Sequence, residues 1–403
     1  MTGRGPGSAT VRILTTLAEL EAVEGDWEAL RARAGSGNPF LAHGWLVAYW
    51  RAFGDRSGLR VVCVRTDGRL VAAAPLRPRR RHGLTVLVPV AAELSDFTDV
   101  LVDPTVPGAA DELARVLLTV PGWSALDAPE VPAGGGAWQL AAAWPGQLVV
   151  LPASTCLELP VRPLPELLAT LPSRHRRDLA RQQRRAERLA VRVEPVPAQP
   201  APIAAAVAEL LDLHTRQWAG RPVNPLHLDP RFRAHLTDAA RAMVPAGQAA
   251  LTRFVLAGEV VGVSLALIAD GAVGGYLYGA RPALRSQLDV SALMVRTDLQ
   301  LGTSRGAARL SLLRGEEEPK LRWQPAARRS QRVLFLPPAA GPGHGLATAA
   351  LLRRAGAERA RPADRLSAVG VVGRVVDQVR RGRVVPRRQQ LGEVGDVRGV
   401  PGR

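Results

Sequence analysis

Along residues 11–17 (VRILTTL) apolar and polar positions alternate with the period of two expected of a strand with one buried face. The period then changes. Leu20, Val23, Trp27 and Leu30 stand three or four apart, which predicts a helix over 18–33. Asn38-Pro39-Phe40 breaks the pattern, and a second helix carries Trp45, Tyr49 and Trp50 towards Phe53. Residues 59–65 and 69–76 are apolar runs separated by Asp67-Gly68, a pair that suits a two-residue hairpin turn. Residues 84–90, 123–127 and 147–151 read as further strands, and 129–137 as a loop. The proline-punctuated stretch 151–165 reads as a crossover between two halves.

Beyond the crossover, Ser173 is placed to cap a helix running to about Leu189. A linker at 195–202 leads to helical patterns over 203–218 and 229–243. Three apolar runs follow, 249–256, 259–268 and 272–280, joined by Ala257-Gly258 and Ala269-Asp270-Gly271. Turns this short predict an antiparallel meander. A helix over 290–303, a strand over 309–313, a polar segment 314–323 and a strand over 331–336 complete the pattern. Residues 337–403 hold short Arg-bearing patches among Gly and Pro, and weak order is expected there.

Length and composition sharpen this picture. A chain of 403 residues exceeds one ordinary core, and 47% apolar residues can fill two. No run of about 18 uncharged apolar residues predicts a transmembrane helix. The Gly-rich start lacks the basic-then-apolar order of a signal peptide. Cys63 and Cys156 sit in strand-like runs and read as buried free thiols rather than a disulfide. Together these features predict a cytoplasmic protein. The net charge of +17 is unevenly spread: from Pro325 on there are 16 Arg against 5 acidic residues, so +11 belongs to the tail. Such a tail can touch an acidic surface. Among the 53 basic residues, Lys320 is the single lysine. A P-loop and a Ser-x-x-Lys nucleophile are thereby excluded, and a Schiff-base enzyme would have to use Lys320 itself. The seven histidines show no metal-ligand spacing, so no metal is expected.

Two groups of residues resemble a known family. Trp27, Asn38-Pro39-Phe40, Trp45, Trp50, Phe53, the Asp67-Gly68 hairpin and Pro75-Leu76 resemble the start of the bacterial acetyltransferases associated with cellulose and exopolysaccharide biosynthesis. The segment Leu310-Ser311-Leu312-Leu313-Arg314-Gly315, with Glu317, Pro319, Lys320 and Trp323, resembles that family's closing motif. The basic helix and the His214-x-x-x-Trp218 pair are also similar to it. The resemblance implies an α/β (α+β) fold of two GNAT-like halves, 11–150 and 160–336. Each would be a mostly antiparallel mixed sheet flanked by helices, followed by a basic tail, 337–403. It implies an N-acyltransferase that moves an acyl group, acetyl first among them, from acyl-coenzyme A to an amine of a small molecule or amino sugar. Polysaccharide or cell-envelope biosynthesis would be the setting. Two alternatives stay open: a Fem-like transferase that takes its acyl group from aminoacyl-tRNA, and a GNAT-like binding module without catalysis.

In a GNAT site the acyl-coenzyme A lies where two central strands splay, with its pyrophosphate on the N–H groups of the next helix. The resemblance therefore places Arg281, Arg285 and Ser291 near phosphate, although the loop 281–290 contains no glycine. Tyr278 becomes the proton donor to the leaving thiolate and His214 a base or substrate contact. Glu317 and Lys320, three apart, share a face of a helical turn and would orient substrate or close the site. Each has a plainer reading as surface charge or packed core. The helix 173–189, with seven Arg and His175, suits an anionic partner: coenzyme phosphates, a nucleotide-sugar, a lipid-linked acceptor or tRNA. A solvated face is the commoner explanation of such a helix. No aromatics are interleaved, so single-strand stacking is not expected.

Overall fold

The computed structural model of the chain describes residues 9–55, 58–81, 83–220 and 223–338. The tail from 339, and with it the expectation of weak order, lies outside the described residues. The N-terminal stretch runs β1 (Ala9–Leu14), α1 (Leu17–Glu21), α2 (Glu24–Arg33), α3 (His43–Phe53), β2 (Arg60–Thr66), β3 (Arg69–Arg81), β4 (Leu84–Pro89), β5 (Leu101–Val102), α4 (Ala109–Thr119), β6 (Ala125–Val131), α5 (Gly136–Ala143) and β7 (Gln147–Pro160). The C-terminal stretch runs α6 (Leu164–Ala169), α7 (Ser173–Arg188), β8 (Arg192–Pro195), α8 (Pro200–Trp218), α9 (Pro230–Met243), β9 (Ala249–Leu256), β10 (Glu259–Ala269), β11 (Ala272–Ala280), α10 (Leu284–Gln287), α11 (Val290–Ser304), β12 (Arg309–Arg314), α12 (Glu318–Leu321) and β13 (Ala326–Leu336).

The strands join in one mixed sheet, ordered β1-β2-β3-β4-β6-β13-β7-β12-β11-β10-β9-β8, with β5 on β3. Every pairing is antiparallel except β4 with β6 and β11 with β12. β13 comes from the end of the C-terminal stretch, yet it lies between β6 and β7 and binds the two stretches into a single sheet. The alternation read from the sequence sets the two faces. Val61 and Cys63 of β2 turn towards α2, α3, α8 and α9, whereas Val62 and Val64 turn towards α4 and α5. On the C-terminal strands that second face is covered by α6, α7 and α11. Trp27 and Trp45 of the N-terminal motif are fully buried and hydrogen-bonded: Trp27 Nε1 donates to Leu41 O at 2.8 Å and Trp45 Nε1 to Ser95 Oγ at 3.1 Å.

Several elements differ from the sequence reading. The helix expected over 18–33 is two helices, α1 and α2. The Thr16–Glu19 capping box starts the first of them. The crossover expected at 151–165 is largely strand, because β7 continues to Pro160. Pro152 falls where the register with β13 shifts, a place where the missing N–H is tolerated. Residues 129–137 are the end of β6 and the start of α5 rather than one loop. α4, α5 and α6 were not anticipated. Ser173 is the first helical residue of α7 and caps nothing; Pro172 holds the cap position.

Candidate active site

β11 and β12 run parallel, but they are paired only at Ala272–Arg309, Val273–Leu310 and Gly274–Ser311. Beyond Gly274 and Ser311 the strands part. The parting is accentuated on both sides. On β11 a register shift against β10 passes over Tyr276, which has no partner residue on either neighbouring strand. On β12 a shift against β7 lies between Ser311 and Arg314, and Leu313 there has φ 58°. Left-handed backbone at a leucine is strained, and such strain concentrates at functional sites.

Each face of the parting carries something different. On the α11 face, Asp298 is 7% exposed, and its Oδ2 stands only 2.5 Å from where a Cβ on Gly275 would lie. A side chain at position 275 would push the Asp298 carboxyl aside. Burial pushes the Asp298 carboxyl up to about 7. Tyr278 lies on this face too, half-buried against Leu284, Leu293 and Met294. On the other face is a cavity of about 430 Å³. It lies between the loops 34–39 and 132–136 of the N-terminal stretch and the first residues of β11 and β12.

A polar cluster stands at the open end. Arg314, the last residue of β12, donates from Nε to Asp96 Oδ1 at 2.6 Å. The Lys320 ammonium donates to Arg314 O at 2.7 Å and pairs with Glu317 at 2.8 Å, so the lysine and glutamate of the closing motif do share one helical turn. Lys320 thereby fixes the backbone that presents Arg314. His214 Nδ1 lies 3.0 Å from Tyr278 O, so this nitrogen carries the proton and donates. Its Nε2 is then the acceptor for His227 Nδ1–H at 3.4 Å. Burial lowers the pKa of His214, and burial with the neighbouring His214 lowers His227 to about 4. Both rings are neutral at pH 7.

Three residues are expected from the sequence to contact phosphate: Arg281, Arg285 and Ser291. Arg281 pairs with Glu259 on the surface. Ser291 is in the first turn of α11, but Asp289 caps that helix by accepting from Ala292 N at 3.1 Å, and Arg322 holds Asp289 at 2.5 Å. A carboxylate thus occupies the position where a pyrophosphate would meet the helix N-terminus. Arg285 lies in α10, and its side chain is outside the described residues. Among the described residues, no group of three or more His, Cys, Asp or Glu could hold a metal ion. No described helix is long and apolar enough to cross a membrane. Cys63 and Cys156 are buried free thiols, each pushed up to about 12 by desolvation.

Sequence reasoning did not find Asp298, Gly275 or the cavity. Asp298 stands inside a long apolar helical pattern, and a buried acid there is the signal that could have drawn attention to it.

Residues 173–321 match the family profile of the acetyltransferase (GNAT) domain. That span contains the parted strands, Asp298 and the Glu317–Lys320 turn, so the chain carries a GNAT-type acyltransferase domain. No curated protein matches the chain. Among solved structures, FemX is similar with a TM-score of 0.54 and 13% identity, over 77% of this chain and 96% of that one. A conserved protein of unknown function from Bacteroides thetaiotaomicron VPI-5482 is similar with a TM-score of 0.52 and 13% identity, over 81% of this chain and 100% of that one. These likenesses show a shared fold.

Proposed function

We propose that the protein transfers an acyl group, acetyl first among them, from acyl-coenzyme A to the amine of a small molecule or amino sugar. The observation that carries the reading is the parting of β11 and β12 beyond Gly274 and Ser311, with a buried carboxyl on one face and a cavity on the other. An acyl thioester laid along the unpaired part of β11 meets main-chain N–H groups outside the ladder, and these stabilise the oxyanion that forms when the amine attacks. Asp298 is the proton acceptor for the amine, since a carboxyl that titrates near neutrality can take a proton at physiological pH. Tyr278, on the same face, returns a proton to the thiolate. Lys320 and Glu317 act through Arg314 as positioning residues, and His214 orients the Tyr278 backbone. The sequence resemblance to polysaccharide-associated acetyltransferases supports an amino-sugar acceptor.

A second donor is favoured by one observation. Asp289 and Arg322 fill the helix N-terminus that would receive a pyrophosphate, whereas all seven arginines of α7 are exposed. That pairing suits aminoacyl-tRNA, whose acyl ester needs no diphosphate seat and whose backbone would lie on the basic helix. Thermal-shift titrations with acetyl-coenzyme A, free coenzyme A and tRNA separate the two. Stabilisation by both coenzymes supports the first. Stabilisation by tRNA alone, fading steeply with salt, supports the second, and no response to any of the three refutes both.

A further inference from the structure

We propose that the cavity between the N-terminal loops and the starts of β11 and β12 binds an amine that carries a phosphate ester. The inference rests on the acyl-transfer reading for the fate of the amine; the phosphate seat stands on its own observations.

The cavity has two chemically distinct ends. One is basic: Arg309, Arg328 and Arg329 line it. Glu158 is the one ion-pair partner of Arg309, at 3.8 Å, and of Arg328, at 3.3 Å, among the described residues. Arg329 has no ion pair among them. Three guanidinium groups against one carboxylate leave two positive charges, which match the dianion of a phosphate monoester better than a carboxylate. Asp99 also lines the space; its oxygens accept from Val100, Gly136 and Ala137 N–H at 2.9, 3.2 and 2.7 Å, and burial pushes its carboxyl up to about 7, so near neutral pH it offsets at most one of those charges and the end stays positive. The loop at Gly37 leaves the basic end open: a Cβ there would come within 3.0 Å of the Arg309 guanidinium. Planar guanidinium forks suit phosphate oxygens.

The other end is formed by Gly274, Ser311 and Leu313, at the parting of the strands. Arg309 and Ser311 are two residues apart on one strand and share a face, a separation of about 6.6 Å. A molecule of hexosamine-phosphate size spans that distance with its phosphate on the arginines and its amine at the parting.

The test is calorimetric titration of the full chain with glucosamine 6-phosphate, glucose 6-phosphate and glucosamine, for wild type, Arg309→Gln and Arg329→Gln. Both phosphates should bind, with glucosamine weaker by about tenfold or more. Each variant should weaken the phosphates by about tenfold while melting as wild type, because hydrogen bonds to charged groups are worth about that factor. Equal binding of glucosamine and its phosphate, phosphate affinities unchanged in both variants, or no phosphate binding at all would overturn the proposal. Acyl transfer is read separately. Phosphate binding without transfer from acetyl-coenzyme A or aminoacyl-tRNA upholds the seat and removes the acyltransferase reading. Transfer with no preference for phosphorylated amines does the reverse.

Discussion

Asp298 illustrates how one residue can be both costly to the fold and useful to chemistry. Burial raises its carboxyl to about 7 from an ordinary value near 3.8, so the native state holds a proton that the unfolded chain releases. The sign follows directly. Stability is fully present below the unfolded value and is lost as pH rises through about 7. Asp298→Asn should therefore be more stable than wild type at pH 8 and gain little at pH 4, as urea midpoints at the two pH values would show. The same substitution should remove the rise of transfer rate through neutral pH and lower the rate by about a hundredfold. His235 has the opposite sign. It is fully buried edge-on to Trp45, with ring centroids 4.5 Å apart, and burial pushes it down to about 3. Its contribution is present above about 6.5 and lost as pH falls, at up to about 1.4 kcal/mol per pH unit. His235→Phe should flatten the loss of stability between pH 6.5 and 4.5 measured by denaturant titration. At this scale the sequence was legible for groups with local motifs. Glu317 and Lys320 were found by spacing and meet as expected. Asp298 was missed because what makes it unusual is Gly275 across the helix–sheet interface, a contact that spacing does not encode.

The meander β9–β10–β11 was legible as an element because two short turns leave the chain no other pairing. The packing of α8 on it was not legible. Gly279 is the reason α8 sits so close: a Cβ there would fall 2.4 Å from Leu210 O and 2.5 Å from His214 N. Backbone atoms cannot rotate aside, so Gly279→Ala should cost about 1–3 kcal/mol and move His214 off the Tyr278 carbonyl. Thermal melting and a histidine ring NMR signal would report the two effects. α5 shows why some elements escaped. Its N-terminus is held by Asp99, whose partner Ala137 is 38 residues away, so a glycine-rich run that reads as loop becomes the start of a helix.

At the scale of the whole molecule, the order of helices and hairpins was visible in the chain, but the insertion of β13 between β6 and β7 was not. That insertion is sealed by the buried pair of Arg332 with Asp127, at 2.6 and 2.5 Å. Arg332→Met would leave Asp127 with Arg81, at 3.0 Å, as its one ion-pair partner among the described residues and should cost about 3 kcal/mol. Because the sheet is shared, calorimetry should give one unfolding transition for wild type, shifted to lower temperature in the variant. The central claim is acyl transfer at the parted strands, and the most direct measurement is thiol release from acetyl-coenzyme A with and without glucosamine 6-phosphate, for wild type and Asp298→Asn at pH 8. The account predicts amine-dependent release by wild type and a loss of about a hundredfold in the variant. Equal amine-dependent release by wild type and Asp298→Asn would contradict it.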